Sequence, residues 1–137
     1  MIITNIVSAI NTKLAGETLT FNQLRLFMDE VIDDINAALS AKFPDFSSYS
    51  EGDNYNVFPD NYIRSVLVTG AAAKFYTADE EGIMTAQAYQ YDYKDRLFIM
   101  VRDYSALVPE TYQADIPGSL DGPDLNQQVE SSWKEWW

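Results

Sequence analysis

The sequence predicts a mainly α protein: a four-helix bundle with a long loop or short β-hairpin between helices two and three, and an extended C-terminal arm. Three observations carry this. Apolar residues recur at steps of three and four in four separate stretches between Ile2 and Tyr104, the period of an amphipathic helix. Thr20 and Gln23 stand in capping-box register just ahead of the most regular of these stretches. After Pro109 the period fades, and prolines, glycines and acids replace it. The expected division is a helical domain over 1–108 and an acidic arm over 109–137.

In the first stretch, 5–14, Ile2, Ile6, Ala9, Ile10 and Leu14 share one side, with Thr4 placed to cap the helix and Gly16 to end it. In the second, the Thr20 hydroxyl can accept from the Gln23 amide while the Gln23 side chain returns to the Thr20 amide, so the helix should begin at Phe21. Phe21, Leu24, Met28, Val31, Ile32, Ile35 and Leu39 form its inner stripe; Arg25, Asp29, Asp33, Asn36 and Ser40 fall opposite. Leu26 and Phe27 sit at the stripe's edge. Lys42 suits the negative end of the helix dipole and Pro44 forbids continuation, which predicts a stop near Lys42.

Residues 43–58 change character. Serines, Asn and Asp dominate, and Gly52-Asp53-Asn54 is turn chemistry flanked by Tyr49, Tyr55 and Val57. Two readings stand: a short hairpin projecting from the body, or an ordered loop laid over the core.

The third helix begins at Pro59 or just after Asp60 and presents Ile63, Val66, Leu67, Gly70, Ala71 and Lys74 on one face. Its small run from Gly70 to Ala73 lets a neighbouring helix approach closely, which offsets part of the roughly 1 kcal/mol that a mid-helix Gly costs. It should end by Ala78, with Gly82 in the turn. The fourth helix, Ile83 to about Tyr104, carries two stripes. Ala86, Tyr89, Tyr93, Leu97, Met100 and Tyr104 make the first; Met84, Ala88, Tyr91, Phe98 and Arg102 make the second on a different side. An outer helix of a monomer needs one apolar face. The second stripe therefore marks either a central helix or one shared with a neighbouring subunit.

The arm ends in Trp133, Trp136 and Trp137, all the tryptophans in the chain. Tryptophan is a favoured interface anchor, so these rings are expected to grip a partner; folding back onto the same monomer is the alternative.

Composition narrows the function by exclusion. With 21 acidic against 9 basic residues the net charge is −12, which repels nucleic-acid phosphates and anionic membrane surfaces. The chain has no Cys and no His. Disulfides, thiolate chemistry, His-containing triads and His or Cys zinc sites are excluded together. No apolar run approaches the roughly 18 residues of a membrane span, and the N-terminus lacks the basic region of a signal peptide, so a cytoplasmic protein is expected. Acids cluster at Asp29, Glu30, Asp33 and Asp34 and at Asp79, Glu80 and Glu81, where a polar helix face and a turn account for them as solvated charge. No EF-hand, P-loop, dinucleotide fingerprint or nucleophile elbow is present, and neither enzyme activity, metal nor cofactor is expected.

The run Phe58-Pro-Asp-Asn-Tyr62-Ile-Arg-Ser-Val-Leu, the small segment Gly70 to Ala73 followed by Lys74-Phe-Tyr, and the Tyr- and Asp-rich stretch Ala86 to Leu97 resemble the head–tail connector (adaptor) proteins of tailed bacteriophages. The capped second helix with Met28-Asp-Glu-Val-Ile-Asp-Asp-Ile-Asn is similar to the same family, and the likeness covers about residues 1–108. The resemblance implies a homo-oligomeric ring, typically twelvefold, beneath the portal protein of a DNA-filled head, extending the DNA channel and offering tail or neck proteins a docking surface. It implies a virion protein assembled in the host cytoplasm, with DNA passing through without specific binding and with no membrane partner. On that view Met84, Ala88, Tyr91, Phe98 and Arg102 form the subunit interface, Trp133, Trp136 and Trp137 grip the portal, and Asp29 and Asp33 are channel or surface acids. A tail-completion (neck) protein one level lower, and an acidic helical inhibitor mimicking nucleic acid, are the competing readings; a carboxylate-metal enzyme ranks third.

Overall fold

The computed structural model describes residues 1–14, 16–78 and 83–114. The described chain is mainly helical and has no sheet among these residues, only two isolated antiparallel bridges, Ile2 with Asn54 and Ala41 with Gln113.

Helix α1 spans Ile3–Lys13 and buries Ile3, Ile6 and Ile10. It starts earlier than the sequence predicts. Ile2, not Thr4, is the N-cap, and no side chain caps the end. The reason lies far along the chain: the Ile3 amide donates to Asp53 O at 2.9 Å and the Thr4 amide to Glu51 O at 3.1 Å, so the first orphan donors are met by another segment's backbone. The Thr4 hydroxyl joins them, donating to Glu51 O at 2.8 Å.

Helix α2 spans Phe21–Leu39, opened by the expected capping box: Gln23 N donates to Thr20 Oγ1 at 3.3 Å and Thr20 N to Gln23 Oε1 at 2.9 Å. Its whole inner stripe is buried. It stops before Lys42, because Asn36 claims the backbone that would continue it. Asn36 Oδ1 accepts from Phe43 N at 2.8 Å and its Nδ2 donates to Phe43 O at 3.0 Å. Ser40 absorbs the change of direction in the left-handed region, φ 51°.

Residues 40–59 make no hairpin. The backbone of 51–55 pairs with the N-terminal residues instead of with itself, Tyr55 N donating to Met1 O at 2.9 Å. Phe43, Phe46, Tyr55, Val57 and Phe58 are buried as part of the core, with ring centroids of Phe46 and Tyr55 4.4 Å apart and of Phe43 and Phe58 5.2 Å apart. The Tyr55 hydroxyl donates to Pro44 O. The loop thus adds aromatic rings to the core.

The third helical stretch, α3 (60–78), begins with a turn Asp60–Tyr62, passes through a π-helical segment Ile63–Leu67 and continues as α-helix Val68–Ala78. It is the central element, packed against α1, α2 and the final helix, α4 (Ile83–Tyr104). Gly70 is where it comes closest. A Cβ there would stand 2.7 Å from Tyr93 Cε1 and 2.8 Å from Val31 Cγ2, so only glycine fits between α2 and α4 without displacing one of them. Along α4, Ala86, Tyr93, Leu97, Met100 and Tyr104 are buried and Tyr89 is half-buried, as the first stripe predicts.

Past α4, two 3₁₀ turns, Ser105–Leu107 and Glu110–Tyr112, bring the chain back to the end of α2. Lys42 N donates to Tyr112 O at 2.7 Å and Ala114 N to Ser40 O at 3.0 Å. The first residues after Pro109 are therefore joined to the helical body. No helix among the described residues is long and apolar enough to cross a membrane.

Candidate functional site

The second stripe of α4 lies directly opposite its core stripe. At about 3.6 residues per turn, Met84, Ala88, Tyr91, Asp95, Phe98 and Arg102, spaced four, three, four, three and four, stay on one side of the helix, about half a turn from Tyr93, Leu97 and Met100. All six are exposed. Met84 is 85%, Tyr91 75% and Phe98 43% accessible, and Ile99 and Leu107 extend the apolar surface toward the end of the helix. This removes one of the two explanations left by the sequence. α4 is an outer helix and α3 the central one, so the second stripe is not monomer core. Single exposed apolar residues are ordinary; here Met84, Tyr91 and Phe98 share one side of a single helix with Ala88, Asp95 and Arg102.

The charges along this face largely neutralise one another. Arg102 Nε donates to Asp103 Oδ1 at 2.9 Å and Arg96 Nε to Asp92 Oδ1 at 2.8 Å. Lys94, Arg96 and Arg102 balance Asp92, Asp95 and Asp103, making α4 electroneutral in a chain of net charge −12.

On the flank of α4 a cleft of about 330 Å³ opens toward α3, lined by Asp34, Lys74, Thr77, Gln90, Tyr93 and Lys94 among others. Its floor is a polar cluster that the sequence analysis did not foresee. Asp34 Oδ2 accepts from the Tyr93 hydroxyl at 2.8 Å and pairs with Lys74 Nζ at 2.8 Å, and that ammonium lies 5.9 Å from the Tyr93 ring centroid. Burial, then the neighbouring Asp34 charge, push the Tyr93 hydroxyl well above its ordinary range, so it remains a donor. Gln90 Nε2 donates to Thr77 Oγ1 at 2.7 Å, and that hydroxyl donates to Ala73 O at 2.7 Å. These groups satisfy one another and fasten α2, α3 and α4 together.

The acids of α2 are brought to different duties. Asp29 accepts from Phe46 N at 2.7 Å, fastening the aromatic loop, and burial raises its carboxyl above the usual range. Asp33 is exposed. Among the described residues no group of three or more Asp or Glu is arranged to hold a metal ion. Trp133, Trp136 and Trp137, and the turn acids Asp79, Glu80 and Glu81, lie outside the described residues.

Compared with protein-family models, with curated proteins and with solved structures, the chain returns no match.

Proposed function

We propose that this chain is a structural head–tail connector (adaptor) protein of a tailed bacteriophage, a four-helix bundle with an extended C-terminal arm that forms a ring under the portal. The observation that carries the reading is the exposed apolar row on α4, opposite its buried face. A helix that satisfies its own core and still presents Met84, Tyr91 and Phe98 to water is suited to contact between subunits. Ala88 and Arg102 complete that interface.

In this role the ring, typically twelvefold in the proteins it resembles, extends the DNA channel and gives tail or neck proteins a docking surface. Acid excess suits a channel through which DNA must slide without sticking. The three tryptophans of the arm grip the portal. The protein acts in the virion, at the head–tail interface, after assembly in the host cytoplasm; it is no enzyme and uses no cofactor. Co-assembly with its cognate portal, imaged by electron microscopy, tests this: a ring on the portal is expected. Failure to join the portal, together with salt-sensitive binding to a basic DNA-binding enzyme, would transfer the assignment to a nucleic-acid mimic.

A further inference from the structure

Closed rings of identical subunits need two different faces, because each copy must meet the next by a heterologous contact. The outer face of α4 supplies one of them. The outer face of α2 has the matching features. Leu26, Glu30, Asp33 and Ala37 follow one another at steps of four, three and four, the same alternation that Ala88, Tyr91, Asp95, Phe98 and Arg102 follow on α4. Leu26 is 64% accessible, a lone apolar anchor, and Asp33 and Ala37 are exposed beside it.

The two faces differ in charge. Helix α2 holds Asp29, Glu30, Asp33 and Asp34 against Arg25, whereas α4 is balanced, with Asp95 and Arg102 on its apolar row and Lys94 at the row's edge. Two copies of a protein with net charge −12 repel wherever acidic faces meet. An acidic face meeting the electroneutral α4 face lessens that repulsion. Within one copy the two faces cannot touch, since α2 and α4 both turn their inner sides to α3.

We propose that the outer face of α4 in one copy lies on the outer face of α2 in the next, with Leu26 packed into the Met84, Tyr91 and Phe98 row and Glu30 and Asp33 drawn toward Lys94 and Arg102. This rests on the ring reading above and names the surface that receives the row.

The chain contains no cysteine, so covalent trapping has no background. Copies carrying Leu26→Cys or Ala37→Cys are mixed with copies carrying Ala88→Cys or Asp95→Cys, co-assembled with the portal and treated with a short bis-maleimide linker. At least one α2–α4 pairing should give covalent dimers, each single variant alone should give none, and the matching double variant should give a ladder of oligomers. Crosslinking of Ala88→Cys or Asp95→Cys to itself would replace the proposal with a symmetric α4–α4 contact. A ring seen by electron microscopy with no α2–α4 crosslink overturns the seam and leaves the connector reading standing; absence of any ring overturns both.

Discussion

The Tyr93 hydroxyl donates to Asp34 Oδ2 across 2.8 Å, and Lys74 Nζ stands 2.8 Å from the same oxygen. One carboxylate oxygen thus joins three helices. Hydrogen bonds to charged groups contribute about 1.5–3 kcal/mol, and the partial exposure of Asp34 favours the low end. Tyr93→Phe should therefore lower unfolding stability in urea by about 1.5 kcal/mol. Asp34→Ala should cost more, since it leaves both Lys74 and Tyr93 without their partner. Equal losses in the two variants would mean that the ion pair contributes nothing.

Alkaline pH should loosen the fold through its tyrosines, Tyr55 and Tyr93 foremost. Burial raises the hydroxyls of Tyr55 and Tyr93 above their ordinary value near 10, so the folded state keeps protons that the unfolded chain releases. The stability they contribute is complete below about pH 10 and falls as pH rises beyond it, by about 1.4 kcal/mol per pH unit for each group. Chemical denaturation between pH 9 and 11 should show this fall, and Tyr93→Phe should make it shallower.

Gly70→Ala should destabilise, against the usual helix preference. Alanine is favoured over glycine by roughly 1 kcal/mol in a helix interior. Here its methyl would meet Tyr93 Cε1 at 2.7 Å and Val31 Cγ2 at 2.8 Å, and forcing an extra carbon into a packed core costs about 1–3 kcal/mol. A thermal melt of the single variant decides the sign; a rise in Tm would show that the Tyr93 ring yields freely.

Asp29 separates charge from hydrogen bonding. Asp29→Asn keeps an acceptor for the Phe46 amide and removes a carboxylate whose ionised form burial disfavours, so stability at neutral pH should hold or rise slightly. Asp29→Ala orphans that amide and should cost about 1–3 kcal/mol. Hydrogen exchange at Phe46 reads the difference directly.

The outer row of α4 should matter to assembly rather than to folding. Met84→Ala combined with Tyr91→Ala removes two side chains that stand mostly in water, and the monomer should change by no more than about 0.5 kcal/mol per site. Ring formation with the portal should fall sharply. A comparable loss in both measurements would return the row to the monomer fold.

What was legible in the sequence was what adjacent residues determine. The Thr20 and Gln23 capping box fixes the start of α2 within four residues of chain, and the α4 stripes follow from helical period alone. The start of α1 was not legible, because its caps are carbonyls of Glu51 and Asp53, and neither was the end of α2, which depends on Asn36 folding back onto Phe43. The π-helical turn Ile63–Leu67 has no composition of its own. Asp34, Lys74 and Tyr93 are spread over 59 positions and read singly as a surface acid, a snorkelling lysine and a core aromatic. Only packing makes them one group.

The last described turn has a mechanical consequence. Lys42 N to Tyr112 O and Ala114 N to Ser40 O are two backbone bonds that tie residues 112–114 to the end of α2. With the Tyr112 ring 5.3 Å from that of Phe43, a displacement of residues 112–114 is passed directly to the end of α2 and to the aromatic loop after it.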